Sequence, residues 1–347
     1  MGIGVVGVGG VGRYAHLPAY RAAGLDVRAV CDRDPAILHE VGEQFNVAVR
    51  TTDPARLAAD PGVSVIDLAT PPATHLSLLE QLVPFGKPIV VQKPLCCSRD
   101  EFAVIRRLSR GCRLRLNLTG RHVSAWQKVH ELVGGDLGRA GLVTIINRDW
   151  WDRPPGRWEH GLDQYIVFEM VIHHLDLALF WFGRPDRVAA RTGSHPRQRL
   201  RQANWATVTL EYSNGLAVQI VDDWTMSEYG FGTGHPYEQV LISGEKGAIR
   251  ATSERVEFAR RDGPQSVWHL ARPGQHLPGE SLDVRWFPDS FAAAMRIFLD
   301  DLAAGRGALD DHRHLIELTE LTFTVAEAAR SERWLPLRTT GPDEDFT

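Results

Sequence analysis

The stretch VVGVGGVGRYAHLPA, residues 5–19, places three glycines in G-x-G-x-x-G spacing between an apolar run and a helical segment. Each glycine meets a separate need: a tight turn, close approach of the backbone to a pyrophosphate, or packing of the helix on the strand. The helix N-terminus adds unpaired N–H groups and a positive dipole, which favour an anion. The stretch therefore predicts a βαβ unit that binds a dinucleotide through Gly7, Gly9, Gly10, Val11 and Gly12.

An acid at the end of the second predicted strand agrees with this interpretation. Asp32 ends the stretch AVCD, about 20 residues after the glycines, where such units place the carboxylate that binds the adenosine ribose hydroxyls. That carboxylate would repel a 2′-phosphate, so Asp32 favours NAD. Arg33 leaves NADP open as the alternative, because a guanidinium can accept the 2′-phosphate or stack on adenine.

The first third of the chain alternates short β-branched runs with helical runs. Strands are predicted at 2–7, 26–32, 64–70, 88–92 and 112–118, and helices at 11–23, 35–45, 73–83 and 98–109. Such alternation is typical of βαβ units and of a parallel sheet covered on both faces. The prediction is an α/β Rossmann domain with a doubly wound parallel sheet over residues 1–120.

The pattern changes after residue 120. Further helices are predicted at 125–133, 162–183, 286–304 and 310–331. The strand-like runs between them follow one another directly, and Asn214-Gly215 and Glu245–Gly247 carry hairpin-turn chemistry. Consecutive hairpins predict an α+β domain over residues 121–347 with a large, mostly antiparallel, open-faced sheet. The terminal helix is a candidate to pack back on the first domain.

Composition limits the classes of function. The 347 residues carry a formal net charge of −4 and a hydrophobic share of 44%, so no basic surface for nucleic acid is expected. No apolar run is long enough to span a bilayer. The four cysteines lack C-x-x-C spacing and form no zinc pattern. We expect a cytoplasmic protein with free thiols, no metal site and no nucleic-acid or membrane partner.

The stretch PIVVQKPLCC, residues 88–97, ends a predicted strand in a lysine and a proline. Lys93 lies at the carboxyl end of a parallel strand, the edge at which doubly wound sheets bind ligands. An ammonium group in a partly dry crevice can hydrogen-bond a substrate hydroxyl. Pro94 fixes the turn that follows, and the cis form is an option for the Lys93–Pro94 peptide.

The third predicted strand ends at the same edge, in the stretch TPPATH, residues 70–75. Pro72 is expected to pack against the cofactor. His75 has two equally weighted interpretations, a cofactor contact and an ordinary histidine in the first turn of a helix. The cofactor-contacting residues predicted along this edge are Thr70, Pro71, Pro72, His75, Gln92 and Lys93.

Two motifs resemble those of the Gfo/Idh/MocA oxidoreductases, the family of glucose–fructose oxidoreductase and inositol dehydrogenase. Lys93-Pro94 resembles the family's E-K-P motif, and EMVIHHLD, residues 169–176, resembles its acid–histidine–acid motif on a helix of the C-terminal domain. SGEKGAI, residues 243–249, and the C-terminal helices are also similar, so the resemblance covers nearly the whole chain. It implies an NAD-dependent oxidoreductase of sugar-like hydroxyls that forms a homo-oligomer, a dimer or tetramer, through the C-terminal sheet.

The chain departs from the family at two positions. Gln92 replaces the usual glutamate, which removes a carboxylate beside Lys93. Glu169 replaces the usual aspartate, which lengthens the acid by one methylene. Loss of activity is one interpretation. Because Lys93 and His173 are both retained, we favour an altered but active site.

Catalytic roles follow from the chemistry that this resemblance implies. His173 is the predicted general base, since a neutral imidazole accepts protons near physiological pH. Lys93 would orient the hydroxyl and stabilise the developing alkoxide. Glu169 or Asp176, which share a helical face with His173 at i, i+4 and i+7, would orient the imidazole. His174 points about 100° away around the helix and is expected to be packed or to cap a backbone group.

Tryptophans and acids alternate in residues 147–165 and 221–229 of the second domain. Aromatic faces stack on sugar rings, and carboxylates bind hydroxyl or ammonium groups. The pattern favours a sugar, cyclitol or glycoside, with a cationic amino sugar, an aminoglycoside-type biosynthetic intermediate, as an option. Tryptophans in the core or at an interface are the alternative. The predicted substrate-contacting residues are Lys93, Arg121, Asp149, Trp150, Trp151, Asp152, Trp158, His173 and Asp176, with Asp222, Asp223, Trp224 and Glu228 in the second stretch.

Three other functions stay open at this point. A keto-sugar reductase that uses NADPH fits Arg33. A non-catalytic NAD-binding sensor or partner subunit fits the two departures from the family. A metal hydrolase built on His173, His174 and Asp176 is disfavoured, because adjacent histidines on a helix diverge and no other ligand motif is visible.

Overall fold

The protein is represented by a computed structural model that describes residues 1–152, 156, 158–225, 237–270 and 289–337, without the Trp158 side chain. Within these ranges the first sheet has the strands β1 (Gly2–Val6), β2 (Val27–Cys31), β3 (Val49–Thr51), β4 (Val63–Leu68), β5 (Ile89–Gln92) and β6 (Leu114–Asn117). All six are parallel, in the order β3-β2-β1-β4-β5-β6. This is the doubly wound order, so the predicted fold of the first part is confirmed. The order reverses between β1 and β4, which opens a crevice at their carboxyl ends.

Helices cover both faces of this sheet, as the alternating pattern predicted. They are α1 (Leu17–Ala22), α2 (Pro35–Phe45), α3 (Pro54–Ala59), α4 (His75–Leu82) and α5 (Arg99–Leu108). Side chains cap three of them: Asp34 accepts from the Ala36 and Ile37 amides at α2, Asp53 caps α3, and Ser98 caps α5. Proline stands in the first turn of α2 and α3, where its missing N–H costs nothing.

The second sheet is larger and mostly antiparallel, as predicted. After α6 (Ser124–Gly134) its strands in chain order are β7 (Ala140–Arg148), β8 (Arg187–Gly193), β9 (Trp205–Glu211), β10 (Ala217–Asp223), β11 (Tyr237–Gly244), β12 (Gly247–Thr252), β13 (Arg255–Arg260), β14 (Gln265–His269) and β15 (Leu335–Pro336). In the described part of the chain β10 and β7 form its parallel pair, while the neighbouring pairs are antiparallel. Side chains alternate, so Val218, Ile220 and Asp222 of β10 face the core together.

The helix predicted over 162–183 is shorter and has two parts, a π-helical turn over Val167–Val171 and the α-helix α7 from Ile172 to Phe182. A separate 3₁₀ turn precedes it at Trp158–Gly161. Single π turns occur often at functional sites because they shift the direction of one side chain within a helix. The continuous 3.6-residue periodicity assumed from the sequence was therefore wrong at Glu169.

Two helices, α8 (Asp289–Ala303) and α9 (Ala308–Ser331), lie between β14 and β15 along the chain. The last one, α9, contacts β6 and α5 of the first sheet layer and also β8 and α7 of the second. Its Asp311 accepts from Arg113 Nε at 2.7 Å and Arg115 Nε at 2.5 Å, and all three side chains are largely buried. This ion cluster attaches the first turn of α9 to β6. Among the described helices, none combines the length and apolar character needed to cross a bilayer.

Replacing Asp311 with alanine is expected to lower the free energy of unfolding by about 3 kcal/mol, because two buried guanidinium groups lose a shared carboxylate. The neighbouring Asp310 provides the matched control, since its side chain is 82% exposed and contacts only Arg313 at 3.7 Å in the described structure. Asp310→Ala should stay within about 0.5 kcal/mol of the parent. Urea unfolding followed by circular dichroism measures both variants. Equal effects would show that the Asp311 cluster does not stabilise the fold.

Candidate active site

The glycine loop has the geometry that its spacing predicted. Gly7 has a φ of +91°, which favours glycine, and its amide donates to the Cys31 carbonyl at 2.8 Å. A Cβ at Gly12 would lie 2.1 Å from the Gly7 carbonyl oxygen, so the helix can approach only a bare backbone. A Cβ at Gly10 would meet no atom within 4 Å. The loop is therefore closely packed at Gly7 and Gly12 and open at Gly10, as binding of a pyrophosphate to the backbone requires.

The segment after the loop differs from the predicted helix. It starts as a π turn, Gly12–His16, and continues as α1. A buried polar cluster that the sequence did not reveal fixes this turn to the sheet: Asp67 Oδ2 on β4 accepts from the Tyr20 hydroxyl at 2.7 Å and lies 2.6 Å from His16 Nδ1. The ring of His16 also packs against Phe291 of α8, with centroids 4.7 Å apart. This cluster therefore anchors to the sheet the π turn that follows the glycine loop.

Asp32 lies where a ribose-binding acid is needed. Its Oδ2 accepts from the Val8 amide at 2.9 Å, and its Oδ1 accepts from the Asp34 amide at 3.1 Å. These bonds hold the carboxylate beside the glycine loop, and the exposed Arg33 follows directly. The open loop and the positioned acid fit the adenosine and pyrophosphate of a dinucleotide.

The β4 edge contributes Thr70, Pro71 and Pro72, of which Pro72 is buried and Pro71 exposed. The Thr74 hydroxyl donates to Thr70 Oγ1 at 2.9 Å. His75 is fully buried, and its ring nitrogens lie 2.9 Å from the carbonyl oxygens of Leu95 and Thr70. Burial lowers the pKa of His75, against the effect of these carbonyls. The structure therefore gives His75 the role of linking the β4 edge to the segment after Pro94, and a cofactor contact stays a prediction.

Lys93 follows β5 directly, and its peptide bond to Pro94 is cis. Its Nζ donates to the Glu169 carbonyl at 2.8 Å and lies 2.9 Å from Glu169 Oε2. The lysine side chain is only 8% exposed. Gln92, the neutral residue at the glutamate position, accepts from Asn117 Nδ2 at 3.0 Å. The carboxylate that pairs with Lys93 thus comes from the π turn of the second domain, not from the adjacent strand residue.

His173 is the second residue of α7, and its side chain is partly buried. Burial and the neighbouring positive charges of Lys93 and His174 hold its pKa well below the usual range, and Asp176 opposes this only in part. The imidazole is consequently neutral at physiological pH, the form that accepts a proton. Glu169 was expected to orient this ring, and its carboxylate pairs with Lys93 instead.

Asp176 was expected either to orient His173 or to contact substrate. It is fully buried and accepts from Arg121 through both Nε, at 3.0 Å, and Nη2, while His314 Nε2 lies 2.5 Å away. Burial raises the pKa of Asp176, but the charges of Arg121 and His314 outweigh it and lower the value. Arg121 also stacks on Phe180 at 5.2 Å. Arg121 and Asp176 therefore bind each other. No sequence pattern indicated that His314 on α9 also contacts Asp176.

The tryptophans near the site pack on one another. Trp224 is buried, lies 5.7 Å from Trp151 and 5.8 Å from Tyr165 between ring centroids, and donates to Asn147 Oδ1 at 3.0 Å. Trp150 lies edge-on to His195, with centroids 6.2 Å apart. The predicted contacts of the Trp158 side chain and of Glu228 lie outside the described residues.

Asp152, Asp222 and Asp223, three of the acids predicted beside these tryptophans, bind groups of the chain itself. Asp152 accepts from the Arg199 amide at 2.8 Å and pairs with Arg199 Nε at 3.0 Å. Asp223 accepts from the Thr225 amide at 2.9 Å, and Asp222 is fully buried against His174. Asp149 is 6% exposed, and its amide donates to the Asp223 carbonyl at 2.9 Å.

Comparisons with known proteins agree with this arrangement. Residues 1–113 match the oxidoreductase family with an NAD-binding Rossmann fold, and residues 126–250 match the GFO/IDH/MocA C-terminal domain. A D-apiose dehydrogenase of Rhizobium rhizogenes is 28% identical over 278 residues, 76% of this chain and 79% of the relative. An inositol 2-dehydrogenase of Rhizobium meliloti is 25% identical over 270 residues, covering 75% and 79%. The crystal structure of an oxidoreductase from Agrobacterium radiobacter in complex with NAD⁺, L-tartaric acid and magnesium superposes with a TM-score of 0.84 at 24% identity, over 97% of this chain and 98% of that one.

Proposed function

Since the chain belongs to the Gfo/Idh/MocA family of NAD-binding oxidoreductases, we propose that it is a dehydrogenase that oxidises a secondary hydroxyl of a neutral sugar or cyclitol. The observation that carries the proposal is the meeting of Lys93, from the nucleotide-binding edge, with the π turn and α7 of the second domain. We infer that this junction, with the Lys93 ammonium and the His173 imidazole, lies where a nicotinamide would face the substrate. The apiose and inositol dehydrogenases support the sugar or cyclitol class.

When bound, NAD supplies the acceptor for the hydride that leaves the carbinol carbon. His173 takes the hydroxyl proton, because its low pKa keeps it in the basic form. Lys93 holds the oxygen: an ammonium group has three N–H donors, and Glu169 accepts from this one through its carbonyl and pairs with it through its carboxylate. We assign the remaining donor to the substrate oxygen, where it stabilises the negative charge that develops as the proton leaves.

The bonds that the predicted substrate-contacting acids already make favour a neutral substrate over an amino sugar. Asp152, Asp222 and Asp223 each hold a donor from this chain, so a substrate ammonium would have to displace an existing bond. Substrate hydroxyl groups do not require such a displacement, because a hydroxyl can accept hydrogen bonds as well as donate one, whereas an ammonium can only donate. The partly exposed rings of Trp150 and Trp151 offer an apolar surface on which a sugar ring face could pack.

We also propose that copies of the chain associate through the outward face of the second sheet. Leu142 on β7 and Leu241 on β11 are 47% and 39% exposed there, which supports an apolar face in need of cover. Light scattering during size-exclusion chromatography tests this. Replacing both leucines with glutamate should lower the measured mass, and an unchanged mass would place the contact elsewhere.

The experiment that tests the function has two steps. NADH and NADPH are titrated separately, with energy transfer from the tryptophans as the signal, and neutral pentoses, hexoses and inositols are then screened for NADH formation beside amino sugars. Turnover of a neutral polyol with NAD is the expected result. Tight cofactor binding without turnover of any polyol would favour a sensor, and binding of neither cofactor would remove the proposal.

Replacing Asp32 with asparagine is expected to raise the NADH dissociation constant about tenfold and to reduce the preference for NADH over NADPH by about 10²-fold. The change removes a charged acceptor for the ribose and the repulsion of a 2′-phosphate, while an amide oxygen can still accept from Val8. The matched control is Glu43→Gln on α2, whose exposed carboxylate pairs with Arg50. If both variants keep the parental preference, Asp32 does not select the cofactor.

A further inference from the structure

We propose that His174 is a positioning residue for the dehydrogenase reaction: as a buried imidazolium held between Asp222 and Glu238, it keeps the adjacent His173 in the neutral form that accepts the substrate proton. The inference rests on the proposed function and extends it to a residue that does not touch the reacting atoms. Neither the sequence pattern nor the chemistry of the site assigned a role to this second histidine beyond packing or capping.

The cluster is closed and spans three elements. His174 on α7 is fully buried, with Nδ1 2.8 and 3.1 Å from the two carboxylate oxygens of Asp222 on β10 and Nε2 2.9 Å from Glu238 Oε1 on β11. The Asp222 side chain is also fully buried, and that of Glu238 is 9% exposed. Each ring nitrogen therefore faces a carboxylate in a place that bulk water does not reach.

Hydrogen-bond stoichiometry decides the charge of this ring. A neutral imidazole carries one N–H, so it would present a lone pair to one of the two carboxylates. An imidazolium donates from both nitrogens and satisfies both acids. A proton shared among one imidazole and two carboxylates stays on the imidazole, which is the strongest base of the three.

The electrostatic surroundings agree with that geometry. Burial alone would lower the pKa of His174, but the charges and hydrogen bonds of Asp222 and Glu238 outweigh it and raise the value to about 10. Because the folded-state pKa lies above the unfolded value, the stabilisation from this group is complete below about pH 6.5 and is lost as the pH rises through about 10. The imidazolium is thus retained across the pH range in which a dehydrogenase is assayed.

The positive charge of His174 affects the protonation of its neighbour His173, the proposed general base. Besides burial, the charged groups that act on the pKa of His173 are Lys93 after β5, His174 beside it and Asp176 one turn along α7. Two of these groups are positive, and the carboxylate of Asp176 is already engaged by Arg121 and His314. Protonating His173 before substrate binds would therefore add a third cation to a partly buried site, which Coulomb repulsion opposes.

The first experiment compares the pH dependence of kcat/KM in the parent and in His174→Gln. We expect the acid limb to move up by about one pH unit, which lowers kcat/KM about tenfold below the limb and leaves the alkaline plateau within about twofold. The matched control is His269→Gln, which removes an exposed histidine on β14 and should leave the profile unchanged. A uniform loss of rate with an unmoved limb would mean that His174 only packs α7, and would overturn the proposal.

A second measurement uses the unaltered protein and needs no substrate. In protein with ¹⁵N-labelled histidine, assigned by comparison with His174→Gln or, if that variant does not fold, Glu238→Gln, both ring nitrogens of His174 should carry protons up to about pH 9. A neutral His174 ring at pH 7 would overturn the proposal whatever the activity. Conversely, a doubly protonated ring in a protein that oxidises no polyol would remove the dehydrogenase function and leave the charge assignment intact.

Discussion

Replacing Lys93 with methionine is expected to lower kcat by about 10²–10⁴-fold with the best polyol substrate. Methionine keeps the apolar length of the side chain and removes the ammonium that would hold the substrate oxygen. It also leaves the Glu169 carboxylate, now 2.9 Å from Nζ, without its cation. Both changes raise the energy of the state in which negative charge develops on the oxygen, so the loss should lie in kcat more than in KM.

The measurement is steady-state kinetics with NAD at saturation, together with NADH titration to show that the glycine loop still binds. Lys87→Met is the matched control, because Lys87 precedes the same strand at its other end and donates to the Asp60 carbonyl at 2.6 Å. It should retain kcat within about twofold. If Lys93→Met retained kcat as well, the ammonium would not hold the reacting oxygen, and the assignment of its third donor would be wrong.

Replacing His173 with asparagine is the second large effect, an expected loss of about 10²–10⁴-fold in kcat. Asparagine keeps a polar group in the buried space and cannot accept a proton near neutral pH. In the parent, the acid limb of kcat/KM should lie below pH 6.5, because burial and the positive charges of Lys93 and His174 lower the pKa of His173. In the variant that limb should disappear, since no group replaces the imidazole as base.

A pH profile from about pH 5 to 9 separates this role from a structural one. His130→Asn provides the comparison, because that ring stacks on Phe180 with centroids 4.0 Å apart, outside the catalytic cluster. A His173 variant that is slow at every pH but keeps the parental limb would assign the general base to another residue.

Local patterns were sufficient to predict the elements that position the cofactor. The strand–glycine order and Asp32 directly after β2 follow from short segments whose chemistry is fixed by backbone geometry, whereas the cis Lys93–Pro94 peptide was only one option. The short pair β3 and α3 was missed, although Asp53 and Pro54 are a capping residue and a first-turn proline. A strand of three residues has too little periodicity to be recognised.

The partners of the catalytic groups could not be predicted in the same way. The π turn at Val167–Val171 adds no sequence signal that a 3.6-residue period would reveal, yet it directs Glu169 to Lys93 rather than to His173. The bond from Asp176 to His314 joins residues 138 positions apart, and the bond from His174 to Glu238 joins residues 64 apart. Such contacts depend on how helices pack on distant strands, which periodicity along one segment does not encode.

The contact of α9 with β6 has a consequence for the order in which the protein matures. Arg113 and Arg115 leave the ribosome almost 200 residues before Asp311, their shared partner. Until α9 has been synthesised, the edge strand β6 therefore carries two guanidinium groups without their shared carboxylate. The cover of β6 is therefore completed only after α9 has been synthesised and has packed on it.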